Sequence, residues 1–349
     1  MMGSGKAFRS IASTVFICAV FAASPGVLAQ AAKASPATIA AEMDALIKAA
    51  KAEGQVSFYT APTENTAKRV ADAFTAKYGI RVQFVRLAGN PLMQRYAAEA
   101  ESGNFATDMI IPAGTSSITF AEAGIKKGWL EPVQELPVIK SGEFPARFIF
   151  GPMALAQIGV WNIGYNTEKL KPADVPKDFP ALLDPKYKGQ IMIGDPAAAD
   201  SYVEFYSLMM DKYGESFLTR LKAQNPRYFT STAPGAQSLA AGEASILIPA
   251  LPNSTQAVKD KGAPVALVAP EVTTGAESYV MLTHRSKAKN PNAGRLLANY
   301  FLAPEGNKLF NADPGGVTVY DLSGLPKGYQ SPTLSAIARK PLIQKLIGP

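Results

Sequence analysis

Three times between residues 55 and 126 the chain passes from a strand-like period of two to a helical period of 3.6, each time within a few residues. QVSFYTA (55–61) reads as a strand. Thr63 follows as a helix N-cap, and Ala67, Val70, Phe74 and Tyr78 then recur on one helical face until Gly79 stops the run. IRVQFVRL (80–87) alternates again, and Asn90-Pro91 sets a cap and an N1 proline before a helix with Leu92, Tyr96 and Ala100 inward. DMIIPA (108–113) is the third strand, with Ser116 or Ser117 capping the helix after it. A further amphipathic helix over 37–54 precedes the set. Repeated units with connections this short predict right-handed crossovers and a mainly parallel sheet, so the class is α/β. Ligands of such sheets meet the carboxyl ends of the strands, which here are Thr60 to Glu64, Leu87 to Pro91 and Pro112 to Ser117.

The second half repeats the pattern around a different centre. After a Pro- and Gly-bearing passage (131–153), LAQIGVWNIGYNTEKL (155–170) reads as one strand too long for an ordinary sheet member, as a strand running from one lobe into another would. QIMIGDP, a helix over 200–213, a helix around Phe217 to Leu221, PRYFTST, ASILIPA, a helix from near Ser254 and APVALVAP form the second set. ESYVMLTHR (277–285) offers the return crossing, and Asn290-Pro291 opens a helix with Leu296, Leu297, Tyr300 and Phe301 inward. The expected organisation is a first lobe of residues 30–150 plus 276–315 and a second of 151–275 plus 316–349.

At 349 residues the chain is long enough for two such cores. Lys6 and Arg9, an uncharged apolar stretch from Ile11 to Ala22 and the small-residue site Val27-Leu28-Ala29 read as a secretory signal peptide over 1–29, cleaved after Ala29. Cys18, the one cysteine, falls inside it, so the mature chain is expected to lack thiols. The formal charge of +7 drops to +5 when Lys6 and Arg9 leave. Basic residues stand singly among acids, without the basic stripe that nucleic acid requires. No Gly-x-Ser-x-Gly elbow, phosphate-binding glycine loop, HExxH or cysteine nucleophile is present, which argues for a binding protein over an enzyme.

FPALLDPKYKGQIMIGDP (179–196), AGEASILIPA (241–250), YFLAPEGNKLF (300–310) and VSFYTAPTENTAKRVADAFTAKYGI (56–80) together resemble the periplasmic solute-binding proteins of ABC importers, in the ferric-iron-binding-like group. The resemblance spans nearly all of the expected mature chain. It implies the type II periplasmic binding fold: two lobes joined by a hinge of crossing strands, a ligand cleft between them and delivery of the solute to a cognate ABC permease in the inner membrane. Iron-binding members carry two adjacent tyrosines just beyond the strand matching ASILIPA, because phenolates are hard oxygen ligands. Here Pro252 and Asn253 hold those positions, so no metal and no cofactor is expected.

The expected ligand contacts follow from the strand ends. Thr60, Ala61, Thr63 and Glu64 form one loop, in which capping and ligand contact are compatible roles. Asn90 reads as a cap, with Gly89 beside it allowing close backbone approach. Ala113, Gly114 and Thr115 are poor in side chains and suit amide donation to an anion. From the second lobe come Asp195, the amides around Ala197 and Ala198, the Ser201 hydroxyl, and Asn253 and Ser254 after the apolar run ILIPA. Asp200 reads equally as a cap. Tyr279 lies on the return crossing near the expected cleft floor, where packing is the equal alternative, and Trp161 on the outgoing one shares that ambiguity. Arg86 closes a strand whose end points to the cleft; Arg95, one turn into its helix, faces solvent; His284 has no partner at metal-ligand spacing. These readings converge on an extracytoplasmic, periplasmic monomer without catalytic residues that captures a small organic anion or zwitterion, such as a carboxylate, phosphonate or phosphate ester. The alternatives are a ferric iron or iron-chelate binder of the same family and a secreted enzyme on the same fold, with Glu64 or Asp195 as acid or base.

Overall fold

The structure, a computed structural model, describes residues 35–349. The expected signal peptide and Cys18 lie outside the described residues. Helix α1 (Pro36–Glu53) starts where the Ser35 hydroxyl accepts from the Thr38 amide, and Gly54 ends it in the left-handed conformation at φ 72°. There follow β1 (Gln55–Thr60), α2 (Glu64–Tyr78), β2 (Arg81–Arg86), α3 (Pro91–Glu101), β3 (Met109–Ile111) and α4 (Ser116–Lys126), the alternation expected from the period changes. The α2 face predicted to point inward, Ala67, Val70, Phe74 and Tyr78, is buried. Thr63 and Asn90 do precede their helices, but neither side chain caps: the Thr63 hydroxyl bonds Thr66 instead. The cap position of α4 is Thr115 rather than Ser116 or Ser117.

Short β4 (Leu130–Glu131), α5 (Pro137–Lys140) and β5 (Ile149–Phe150) lead into β6 (Met153–Val160), and β7 (Asn162–Asn166) continues it after Trp161. The expected long strand is thus real in direction and broken at one residue, because β6 and β7 belong to different sheets. The second lobe is built from β7, β8 (Ile191–Gly194), α6 (Asp200–Tyr213), α7 (Glu215–Ala223), β9 (Arg227–Phe229), α8 (Thr232–Ala240), β10 (Ile246–Ala250), α9 (Pro252–Lys259) and β11 (Val265–Val268). The chain returns through β12 (Val272–Thr273) and β13 (Gly275–Thr283), adds α10 (Pro291–Leu302) and α11 (Pro304–Phe310) to the first lobe, and finishes with β14 (Gly328–Tyr329) and α12 (Lys340–Ile347).

One sheet has the order β2-β1-β3-β13-β6-β5 with β4 on β13, a second runs β11-β7-β10-β8-β9, and β12 and β14 pair in a separate two-stranded sheet. Strands β1, β2 and β3 pair in parallel, as do β8, β9 and β10, while the crossing strands β6 and β13 pair antiparallel. Trp161 donates its amide to the Thr274 carbonyl where both crossings leave the first sheet.

Two separate apolar cores follow. The first gathers Phe58, Phe74, Phe301 and Phe310, with Phe58 and Phe301 ring centroids 5.5 Å apart and Phe301 and Phe310 4.9 Å apart. The second centres on Phe179, Phe205 and Tyr206. Each fully buried ring contributes on the order of 2–3 kcal/mol through removal from water. Core membership changes between Val160 and Trp161, between Val265 and Tyr279, and again between Tyr329 and Ile337 in the tail. We propose these three crossings as the lobe boundaries, in place of 150, 275 and 315, since packing rather than turn composition decides which lobe a segment joins. The tail, expected with the second lobe, ends with Ile343 and Ile347 buried in the second core.

Candidate functional site

The carboxyl ends of β1, β2 and β3 in the first lobe face the starts of α6 and α8 in the second, and a cavity of about 60 Å³ lies between them. That is room for a handful of water-sized groups with the lobes as close as they are here. Arg86 forms one wall. Its guanidinium reaches across to the Ser231 hydroxyl at 3.1 Å, its Nε has no hydrogen-bond partner, and it forms no ion pair among the described residues. Burial lowers its pKa, which nearby Glu64 and Tyr202 partly offset. Trp161, only 1 % exposed, also lines the cavity and likewise leaves its Nε1 donor unpaired. Behind it Tyr202 packs against the indole at 5.8 Å. Ser231 is the cap position of α8 without capping it, and Thr230 and Thr232 line the cavity beside it. The first amides of a helix have no intrahelical partner, so α8 presents donors to the same space.

Of the residues expected from sequence, Ala61, Gly89, Ala113 and Ser201 are brought together on this lining. Gly89 has φ +70°, and a Cβ there would stand 2.4 Å from the Ala198 carbonyl oxygen, so the lobes meet backbone to backbone at that glycine. Asn90 joins the same seam, its amide reaching Ala198 O at 3.4 Å and its side chain Asp200 at 3.4 Å. Thr60 is fully buried with its hydroxyl unpaired, while Thr63 and Glu64 sit at the start of α2, Glu64 in solvent.

Several expected donors are already engaged. Gly114 N–H donates to Glu277 O at 2.9 Å, and Thr115 donates both its amide and its hydroxyl to Glu204 Oε1 at 2.5 Å. Asp195 Oδ1 takes the Ala197 amide at 2.8 Å and its carbonyl the Ala198 amide, closing a local turn that leaves neither amide for a ligand. Ser254, 3 % exposed, donates to Thr232 at 2.9 Å and braces the cavity from behind; Asn253 lines a separate crevice with Asn311 and Asp313. Tyr279 is not at the cleft floor. Its ring stands edge-on to Phe150, and its hydroxyl donates to Glu277. Asp200 pairs with Lys340 at 2.8 Å, which holds its carboxyl below the ordinary range although burial acts against this.

Arg86 and Trp161 were visible in the sequence as cleft-directed residues, but Gln157, Tyr202, Ser231 and Thr232 were not. The alternation that marks a strand says which face is buried, and says nothing of which buried face looks across to another lobe.

Residues 69–334 match the family described as bacterial extracellular solute-binding protein. The chain belongs to that family. As a solute-binding protein of the kind that serves ABC importers, it has the two-lobed architecture of its structural relatives. It superposes on the substrate binding protein of an ABC transporter from Agrobacterium tumefaciens with a TM-score of 0.71 at 15 % identity, covering 84 % of this chain and 93 % of that one. AfuA of Actinobacillus pleuropneumoniae, solved with fructose-6-phosphate bound, gives 0.62 at 22 % over 84 % and 97 %. Iron-bound HitA of Pseudomonas aeruginosa gives 0.63 at 17 %, again over 84 % and 97 %. The fold is common to binders of different solutes, so this solute-binding protein's ligand class rests on its own cleft.

Proposed function

We propose that the protein is the extracytoplasmic receptor of an ABC importer for a small organic anion, a carboxylate, phosphonate or phosphate ester, which it holds between the lobes and hands to a membrane permease without altering it. The observation that carries this reading is Arg86: a half-buried guanidinium on the cavity wall, paired with no acid among the described residues, whose buried Nε donor has no partner. A partly buried cation whose inward donor has no counter-charge is held at a cost, and an anionic solute supplies the missing partner in the fork geometry that guanidinium favours. The open start of α8, the Ser201 and Ser231 hydroxyls and the indole N–H of Trp161 complete a set of donors with no competing carboxylate on the lining. The bound fructose phosphate of AfuA supports an anion in a fold of this kind. Iron-bound HitA motivates the alternative, a ferric ion or its chelate. Against it, Pro252 and Asn253 open α9 where two phenolates are needed, and Tyr279 and Tyr329 both spend their hydroxyls on Glu277.

The test is calorimetric titration of the mature protein with fructose 6-phosphate, phosphonoacetate, citrate, ferric citrate and putrescine, on the parent and on Arg86→Ala. Loss of a partner from a buried charge-assisted pair costs about 2–5 kcal/mol, so an anion that binds the parent should weaken at least ~30-fold in the variant. Tight binding of putrescine, or of an anion with equal affinity to both proteins, would overturn the reading.

A further inference from the structure

The position at the start of α4 where the sequence leads one to expect a ligand anion is filled by the protein itself. Glu204 rises from the second turn of α6 in the second lobe, and its Oε1 takes both donors of Thr115 in the first lobe at 2.5 Å. The residue is 2 % exposed, and its second oxygen, Oε2, has no hydrogen-bond partner. Among the described residues no cation pairs with it. On the elements packed against α6, Arg339 is held by Ser207 and Asp211, and Lys340 by Asp200. The charged groups of α7, Glu215, Arg220 and Lys222, are exposed. From β13 come Glu277, 3 % exposed, and Tyr279, whose hydroxyl it accepts; Tyr329 donates to the other oxygen of Glu277. Glu204 therefore faces two acids, Asp200 and Glu277, and two neutral phenols. Asp200 has Lys340, but Glu204 and Glu277, enclosed together without a counter-charge, cannot both stay ionised, and the simplest neutraliser is a proton.

We propose that Glu204 is a proton-gated latch between the lobes: closure of the cleft takes up a proton at this carboxyl, and loss of that proton favours opening. The proposal rests on the solute-binding role of the cleft but not on which solute enters it. Burial pushes the Glu204 carboxyl up to about 8, with the Glu277 and Asp200 charges adding to the rise and the two Thr115 hydrogen bonds opposing it. Glu277 is raised as well, by burial first, with its tyrosine donors opposing. Parting the lobes returns Glu204 to water and an ordinary value near ~4.3. The sign follows from the raised value in the closed form. Closure is strongest below the open-form value, weakens by up to about tenfold per pH unit above it, and loses the contribution as pH passes about 8.

The expected mature chain contains no cysteine, so spin labels can be placed cleanly on exposed residues of each lobe, Glu122→Cys on α4 and Lys212→Cys on α6. Pulsed electron resonance on the doubly labelled protein, freed of solute by refolding, reads the interlobe distance. We expect a short-distance majority at pH 6 to become a minority at pH 9.5, and the same protein carrying Glu204→Gln to keep the short distance at both. Thr115→Val, which removes the hydroxyl donor alone, should shift the population toward the longer distance at pH 6. Distance distributions that do not change with pH, or a Glu204→Gln protein that opens as the parent does, would overturn the latch. Because no solute enters this measurement, its failure leaves the anion reading standing, and a cleft that refuses anions leaves the latch standing.

Discussion

Arg86 and Trp161 share an unusual condition: each buries a donor that no protein group accepts. Leaving such groups unpaired costs about 1–3 kcal/mol apiece, a cost that a binding site retains only if the ligand offsets it. Trp161→Phe separates the two roles. Because the indole N–H has no partner within the protein, we expect the melting temperature of the solute-free protein to stay within a few degrees, while solute affinity falls about tenfold; an unchanged affinity would remove Trp161 from the contact set. The phenols make a complementary point. With Pro252 and Asn253 at the start of α9 and with Tyr279 and Tyr329 committed to Glu277, we expect protein mixed with ferric citrate to show no visible tyrosinate charge-transfer band, and a strong band would contradict that assignment. At this scale the sequence was legible where chemistry is local. Arg86 announced itself as a cation at a strand end. The engagement of Thr115 did not, because its acceptor is 89 positions away in the other lobe.

Strands and helices impose the next constraint. Short connections bring the β1, β2 and β3 ends to one edge and the β8 end to the facing one, but the amides differ in availability: those of Gly114 and Thr115 are used, and those of Ala197 and Ala198, after β8, close a turn. The start of α8 is the element left open, since its cap residue Ser231 is turned toward Arg86. Gly89 governs how near the two sets of elements approach. A methyl group at Gly89 would meet Ala198 O at 2.4 Å and would also strain a backbone at φ +70°, so Gly89→Ala should hold the seam apart. We expect at least tenfold weaker solute binding with either lobe's packing intact, checked by titration beside far-ultraviolet circular dichroism; unimpaired affinity would show that the seam does not close in the bound state. Element boundaries were readable because caps and periods are local signals. The break of the crossing strand at Trp161 was not, since nothing in LAQIGVWNIGYNTEKL changes period where β6 ends and β7 begins.

The molecule as a whole is two cores with a cleft that each must hold in shape. Phe301 lies in the first core and Phe205 in the second, both fully buried. Replacing either by alanine should cost about 3–5 kcal/mol and lower the melting temperature, and added solute should recover part of the loss in both, because solute binding draws on the two lobes together. Rescue of one variant but not the other would place the solute on a single lobe. The α/β class and two lobes were legible from the paired sets of strands and helices, whereas the element that seats the tail was not: α12 has eight residues and no partner pattern nearby, and only its packing on α6 and α7, which buries Ile343 and Ile347, gives it a place. What the cleft carries decides between an anion, a cation and iron. Native mass spectrometry of the protein expressed as the full chain in a bacterial host and purified without denaturation should show an added mass that is an organic anion on the parent and is missing from Arg86→Ala. An added iron atom, or a cationic solute retained by both proteins, would contradict it.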